Sequence, residues 1–580
     1  MGRIAARTST RTSSRIFSRD LLSRALPALT AVAALTLAAC GGGGDSGSST
    51  QGPAGSPGSS GPLLVNGLDQ ACSAGGQCSA ATAASYSGSG TGIWGRANAS
   101  TAAQDVQYSI SGVAGKSIAM MLTNLTGQSV AMPSVPLSSM VDASSLARLS
   151  PQALTAEADD EASRRAIGDF NRTGWIDAIQ ASQPMLRSMS APPVQQSTAG
   201  LGVGATKTWY HTDTTMRLAT LQQQVTATDG TIVNLWVENS QFGAGANQIS
   251  LTTVGTLATA FAGTGQIYDM LKDIGGPVWG PNSYGTQVVP ATGQPIDIVI
   301  LNFNNDGKPY GSVAYFWGLH NLSKTTDPRS NESISLYLDS ETLALGGAAG
   351  MQAMKVTMAH EGTHMQNFYR RGIMMGPSYV YADWLEEMTA MQMEDFLSHS
   401  IDPTFNAISN VRFPDFYRYS SYNCNILQFT GFGTPCESYS VSGSFGGFLD
   451  RQLGLAFYKD LLTRRTADSK TALNQAIVAA QAGSSFEQQL LRWKVTTSSG
   501  MPAAKSPTGY GYPARTDGTY VLPEIDPSAS VYASLRKLPV VLPSLLEAYG
   551  TFPVARSATN GVYSDKVRVP AGATLSVVVY

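Results

Sequence analysis

The spacing of apolar and polar residues predicts strands first and helices later. Segments 105–112 and 116–125 alternate apolar with polar residues, which is typical of half-buried strands in a small β domain. Longer apolar runs, typical of buried strands, occur at 231–239, 295–304, 312–317 and 333–339. The pattern therefore predicts a small β-rich region followed by a larger sheet.

Helical patterns follow these strands. Segments 347–371 and 379–398 are predicted helices directly after the last strand of the sheet. The more charged segment 150–172 is also a predicted helix, with Ser150 as its candidate N-cap, and is either a linker or part of a pro-segment. Beyond residue 520 the chain returns to β-like pieces separated by prolines.

Composition narrows the class of protein. The chain has 580 residues, of which 43% are hydrophobic and 13% charged, as expected for a globular protein with a large core. The formal net charge is −2, and no long basic stripe occurs outside the first residues. Nothing in the sequence therefore attracts nucleic acid, and disorder is excluded for the chain as a whole.

The N-terminus has the pattern of a bacterial export signal. Arginines recur from Arg3 to Arg24, and an apolar run from Ala25 to Ala39 follows, too short for a comfortable membrane span. The run ends at Cys40, before a tether rich in Gly and Ser. This resembles a lipobox, which predicts lipidation of Cys40, and Gly41 in place of aspartate favours the outer membrane. The alternative is an ordinary signal peptide with an incidental cysteine.

The remaining cysteines form two pairs that are close in sequence. An exported chain with an even number of cysteines predicts two local disulfides, Cys72–Cys78 and Cys424–Cys436, although other pairings are formally open.

A metal-binding pattern lies in the predicted helix 347–371. His360 and His364 are four residues apart, so both imidazoles can face one point, and Glu361 lies beside them. This HExxH arrangement predicts two zinc ligands and a carboxylate that takes a proton from metal-bound water. Gly362 costs helix stability, which indicates a close approach of substrate or backbone.

A third protein ligand is expected downstream. Two adjacent glutamates compete for this role, Glu386 and Glu387. Asp383 followed by Glu386 fits a capping box, so Glu386 would satisfy backbone amides at the helix start. That interpretation leaves Glu387 as the third ligand of one zinc ion.

These features together resemble a known family. HExxH followed by Trp-Leu-x-Glu is similar to gluzincin metallopeptidases, and within them most to the hyicolysin family of secreted bacterial enzymes. The resemblance covers about residues 205–460 and is specific only around the two helices. It implies an α+β, thermolysin-like catalytic domain with a mixed sheet and two zinc-binding helices, flanked by small β-rich regions.

The chain departs from the thermolysin-like pattern at one position. An aspartate is expected four residues after the ligand glutamate, and Met391 stands there. Glu394 is a candidate substitute that orients a ligand histidine, with a plain surface glutamate as the alternative. Tyr439 is the predicted oxyanion donor, because its segment resembles one in aminopeptidase-N-like enzymes where a tyrosine precedes a helix that closes over the site. Other downstream candidates are His399, Tyr417 and Tyr422.

A second metal is weakly indicated. Asn302, Asn304, Asp306 and Gly307 match the start of a calcium loop, but Val313 stands where the closing glutamate belongs. A hairpin turn is the alternative interpretation, and it is favoured over a calcium loop.

The sequence therefore predicts a zinc metalloendopeptidase that cleaves protein or peptide substrates, held at the outer membrane as a monomeric lipoprotein. The alternatives are a non-catalytic binding or adhesion lipoprotein on the same scaffold and a zinc hydrolase with a non-peptide substrate. The predicted regions are a signal peptide (1–40), a tether (41–65), an N-terminal β-rich region with a linker helix (66–200), the metallopeptidase domain (205–520) and a C-terminal β-rich region (521–580).

Overall fold

The N-terminal β-rich region begins the part of the chain that the structure describes. The structure, a computed structural model, describes residues 64–65, 67–73, 76–137, 158–188, 198–212, 215–431 and 435–580. Cys40, most of the tether and Ser150 lie outside these residues. The first strands are β1 (Leu64–Val65), β2 (Asp69–Gln70), β3 (Ala80–Thr82), β4 (Ser85–Tyr86), β5 (Gly92–Ala97), β6 (Gln104–Ser111), β7 (Ile118–Asn124) and β8 (Val130–Ala131).

A long helical segment follows. It consists of α1 (Ala158–Asp169), a π-helical turn at Phe170–Gly174 and α2 (Trp175–Ser188). Trp175 is fully buried and packs edge-on against Tyr284 and Phe368, with ring centroids 5.5 Å and 5.7 Å away. Aromatic burial of this size anchors the segment firmly on the rest of the protein.

The central sheet is mixed. Its strands are β9 (Thr206–Tyr210), β10 (Met216–Thr226), β11 (Ile232–Glu238), β12 (Ile296–Leu301), β13 (Ala314–Tyr315) and β14 (Ile334–Asp339). They lie in the order β13-β14-β12-β11-β10-β9, with β11, β12 and β14 parallel. These three strands are buried on both faces, which explains their continuous apolar sequences. The short strand β13 forms one edge of the sheet.

Helices supply the rest of the central part. They are α3 (Leu251–Ala262), α4 (Ile267–Gly275), α5 (Ser340–Leu345), α6 (Gly347–Asn367), α7 (Asp383–Ile401), α8 (Phe413–Arg418), α9 (Ser438–Leu453), α10 (Leu455–Thr463), α11 (Ser469–Ala480) and α12 (Phe486–Ser499). Both predicted helices of the metal-binding pattern are present as α6 and α7. Helix α7 packs against α6 and α9 and is buried along most of its length. No helix within the described residues combines the length and apolar content that crossing a bilayer requires.

The last part of the chain returns to β structure. Its elements are β15 (Arg515–Asp517), β16 (Tyr520–Leu522), α13 (Ser530–Ala533), β17 (Leu545–Leu546), β18 (Thr551–Arg556), β19 (Val562–Val569) and β20 (Ala573–Val579). Strand β19 pairs with β6, in the sheet that contains β1, β4 and β3. The order β18-β7-β20-β5-β2 defines a second sheet, and the two sheets share one apolar core.

The N-terminal and C-terminal β-rich regions, which the sequence analysis treated as separate, share their sheets in the structure. Regions 66–200 and 521–580 contribute strands to the same two sheets, and β20 lies between β7 and β5. Alternation of apolar and polar residues shows which face of a strand is buried, but it does not identify the partner strand. The predicted disulfides are confirmed, with Cα–Cα distances of 5.8 Å for Cys72–Cys78 and 5.2 Å for Cys424–Cys436.

The shared core gives a stability prediction. Leu575 of β20 is fully buried, so Leu575→Ala should lower the free energy of unfolding by about 2–5 kcal/mol. Val541 is 74% exposed, and Val541→Ala should change the free energy of unfolding by less than about 0.5 kcal/mol. Urea unfolding measures both. Equal effects of the two substitutions would contradict the position assigned to β20.

Candidate metal centre

Helix α6 brings the two histidines of the motif together. His360 and His364 lie one turn apart, and their ring centroids are 4.7 Å apart. Gly362 faces α4, where an added Cβ would lie 2.4 Å from Cδ1 of Leu271. The glycine therefore admits a neighbouring helix side chain, and the expected approach of substrate or backbone at this position is wrong.

Helix α7 adds the third side chain. Oε2 of Glu387 lies 3.1 Å from Nε2 of His360 and 3.8 Å from Nε2 of His364. One ligand atom from each of these residues lies within 4.8 Å of the other two, and the described residues contain no second such group of three or more His, Cys, Asp or Glu side chains. The structure thus brings together the three side chains that the sequence analysis selected.

The donor set fits a divalent cation. Ligands of a tetrahedral zinc ion are separated by roughly 3.3–3.5 Å, given bond lengths near 2 Å, and the distances of 3.1 Å and 3.8 Å bracket this value. Burial opposes ionisation, but the charge of His364 and the contact with His360 outweigh it and lower the pKa of Glu387 to about 2. An ionised carboxylate beside two imidazole nitrogens is a typical set of zinc ligands.

The outer nitrogen of each histidine contacts a carboxylate of α7. Nδ1–H of His360 donates to Oε1 of Glu394 over 2.7 Å, and Nδ1–H of His364 donates to Oε1 of Glu386 over 3.0 Å. Such bonds fix the ring orientation and leave Nε2 directed at the metal position. Glu394 is only 3% exposed, so it is not the surface glutamate that the sequence left open.

Glu386 does not cap its helix. The N-cap of α7 is Ala382, with no side-chain cap, and Asp383 pairs with Arg172 of the upstream helical segment. Glu386 instead accepts hydrogen bonds from His364 and from the side-chain amide of Asn367. The capping-box interpretation is therefore wrong, because the first turn of α7 faces α6 and its carboxylate pairs with a histidine there.

Arg412 was missed by sequence reasoning. Its Nη2 lies 3.1 Å and 3.3 Å from the two carboxylate oxygens of Glu394. Burial opposes ionisation of Glu394, but the arginine charge outweighs it and lowers the pKa of Glu394. Arg412 lies in a short π-helical turn at Ile408–Arg412, and no motif marks it. Only the need of a buried carboxylate for a counter-charge could have suggested an arginine of this kind.

Glu361 lies beside the ligands without joining their cluster. Its side chain is buried, and burial raises its pKa, although the neighbouring histidine charges oppose the rise. The backbone N–H of Phe316, directly after β13, donates to its carboxylate. A carboxyl group with a raised pKa next to a metal position is suited to accept and release a proton.

Tyr439 lies near His360. Its ring centroid is 6.4 Å from that of His360, at the start of α9, and the disulfide Cys424–Cys436 immediately precedes this helix. Burial raises the pKa of Tyr439 well above its usual value, so the phenol remains a hydrogen-bond donor.

These groups line one cavity of about 780 Å³. Its walls come from β13, α6, α7, the start of α9 and the upstream segment 158–174. Asn171 of that segment donates to the carbonyl of Phe316 over 3.1 Å and accepts from the backbone N–H of Gly318 over 2.7 Å. Residues far upstream of the motif therefore complete the cavity.

The candidate calcium loop is held by hydrogen bonds within the protein. The segment 302–311 is not a hairpin, since β12 does not pair with β13. Oδ1 of Asn302 accepts the backbone N–H of Asn305, and Glu341 accepts those of Asp306 and Gly307. These carboxylate and amide oxygens are thus engaged within the protein, and calcium gains no support here.

Comparison with known families decides the classification. The model of peptidase M30 matches residues 213–580, which is more than half of the chain. The chain belongs to the peptidase M30 family. This confirms the resemblance to the hyicolysin family and indicates a metallopeptidase that acts on proteins or peptides. A domain of unknown function, DUF8571, matches residues 70–137, and no curated protein matches the chain.

The orienting carboxylates of this M30 peptidase give a second prediction. Glu386→Gln and Glu394→Gln should each lower zinc affinity by about 10–100-fold, because the hydrogen bond to a ligand histidine weakens. Competition with a chelator measures the affinity. Glu487→Gln, which removes a carboxylate paired with Lys470, is the matched control and should leave it unchanged. If Glu386→Gln binds zinc as tightly as the Glu487→Gln control does, Glu386 has a purely structural role.

Proposed function

We propose that the protein is a zinc-dependent metalloendopeptidase in which Glu361 is the general base. The observation that carries this proposal is the cluster of His360, His364 and Glu387, with Glu361 beside it in a large cavity. Membership in the peptidase M30 family supports the reaction class.

His360, His364 and Glu387 would hold one zinc ion. Bound there, zinc would lower the pKa of a water molecule towards neutrality and polarise the substrate carbonyl. Glu361 accepts the proton of the attacking water and passes it to the leaving amine. Its burial supports this role, since a desolvated carboxyl group releases and takes up protons nearer to neutral pH than an exposed one.

Tyr439 is the proposed oxyanion donor. Its O–H stays protonated and lines the same cavity as Glu361 and the ligand histidines. A donor at this position stabilises the charge that develops on the carbonyl oxygen during attack.

The edge strand β13 is the proposed substrate-binding strand. Val313 directs its carbonyl towards β14, where it accepts from Asp339 N–H, so the backbone groups of Ala314 point outward on the opposite side. An extended peptide can pair with such an edge and place a peptide bond near the metal. An internal segment of a polypeptide suits this mode, and a thermolysin-like arrangement of sheet and helices is consistent with it.

We also propose an outer-membrane lipoprotein anchored through Cys40. The support is the sequence from Ala25 to Cys40 and the tether after it. The two disulfides are consistent with an exported protein.

The catalytic proposal predicts a separation of metal binding from turnover. Glu361→Gln should keep one zinc per chain and lower kcat by about 10²–10⁴-fold, because only the proton acceptor is lost. His364→Ala should lose the metal itself. Elemental analysis and cleavage of an unstructured protein substrate provide the two readouts, after chelation and zinc restoration.

Two results would contradict this prediction. Near-normal turnover of zinc-loaded Glu361→Gln would remove the proposed base. Absence of zinc-dependent cleavage by the wild-type protein would favour a binding protein on a peptidase scaffold.

The anchor gives a separate prediction. Cys40→Ser should move the protein from the membrane fraction to a soluble or unprocessed form, because no acylated cysteine remains. Membrane fractionation and mass spectrometry of the mature N-terminus test this. A wild-type protein without acyl chains would exclude the lipobox.

A further inference from the structure

Arg412 lies where two parts of the proposed catalytic centre meet. Its guanidinium group contacts both oxygens of Glu394, whose Oε1 accepts from His360. The same group lies 5.5 Å from the ring centroid of Tyr439. One side chain thus reaches both the support of a metal ligand and the proposed oxyanion donor.

The contact with Arg412 compensates the buried negative charge of Glu394. Glu394 is almost fully buried, and a buried carboxylate without a paired cation is strongly destabilising. Nη2 of Arg412 donates to both carboxylate oxygens, and this charge-assisted contact limits how that carboxylate can rotate. The direction of the hydrogen bond to His360 is therefore set by Arg412 as well as by α7.

The contact with Tyr439 is of a different kind. A guanidinium within about 6 Å of an aromatic ring is attracted to its face. This interaction restricts the tilt of the Tyr439 ring, and thereby the position of its hydroxyl, at the beginning of α9.

The sequence of α9 makes room for this arrangement. An added Cβ at Gly443 would lie 2.9 Å from Cγ of Arg412 and 2.7 Å from Sδ of Met391. A glycine inside a helix costs about 1 kcal/mol relative to alanine. Close approach of Arg412 and Met391 explains why glycine is present.

We propose that Arg412 is a positioning residue that couples the metal ligand His360 to Tyr439, through Glu394 on one side and through the tyrosine ring on the other. The inference rests on the proposed function and goes beyond it, because it assigns one residue to the geometry of both metal binding and oxyanion stabilisation. Met391 stands where an aspartate is expected and has no carboxylate. Glu394, held by Arg412, therefore orients His360 in its place.

Metal affinity tests the first link in the full mature chain. Arg412→Met should lower zinc affinity by about 10-fold or more, and Arg412→Lys should restore part of the loss. In a Glu394→Gln background, Arg412→Met should cost markedly less. Arg418→Met is the control, since Arg418 pairs with Asp415 and should leave zinc affinity unchanged.

Turnover at saturating zinc tests the second link. Arg412→Met should lower kcat by about 10-fold with little change in KM, because the oxyanion donor acts mainly in the transition state. In a Tyr439→Phe background the same substitution should lower kcat several-fold less. A purely structural role would give equal losses in both backgrounds, and that result would overturn the coupling.

The two arms separate this inference from the proposed function. If the wild-type protein shows no peptidase activity, the proposed function fails, whereas zinc affinity still reports on Arg412 and Glu394. Control-like zinc affinity of Arg412→Met would overturn the inference whatever the activity. Arg412→Lys keeps the test decisive if Arg412→Met does not fold.

Discussion

The packing of α6 against α7 determines every distance in the metal centre. Asn367 of α6 donates to Glu386 and to Thr389 of α7, which fixes how far one helix can slide along the other. A slide of one helical turn, about 5.4 Å, would exceed all the ligand separations. Behind α7, Asp395 forms a fully buried ion pair with Arg451 of α9 over 2.6 Å. The chemistry therefore depends on three helices held in a single register.

The sequence predicted the local part of this site better than the tertiary part. Residues four apart on one helix share a face, so the pair His360 and His364 follows from periodicity alone. Choosing between Glu386 and Glu387 needed more, because both project from the first turns of α7 and the capping pattern that separated them in the sequence is not formed. In the structure Glu386 accepts a hydrogen bond from His364. No local sequence pattern predicts that contact between two helices. Arg412 is a stronger case, since its partner Glu394 lies on another helix.

The larger architecture shows the same limit. Strands of the N-terminal and C-terminal regions were recognisable individually, but their shared sheets depend on pairing across more than 400 residues, as between Tyr108 and Asp565. The helical segment after residue 158 is similar: its charged sequence predicted a helix, whereas its place in the cavity wall depends on Trp175 and Asn171 meeting distant partners. Family matching places residues 70–137 and 213–580 in separate models, although their strands interleave.

The position of β20 has a consequence for biogenesis. Because this strand lies between β7 and β5, the sheet cannot close until residues 573–579 have been synthesised. Until then β5 and β7 expose unpaired edges for the whole time that the intervening chain takes to emerge. Such long-range closure is slow, and it leaves these edges open to non-native pairing in the meantime. The last strands of the chain therefore determine when both sheets of the shared core can form.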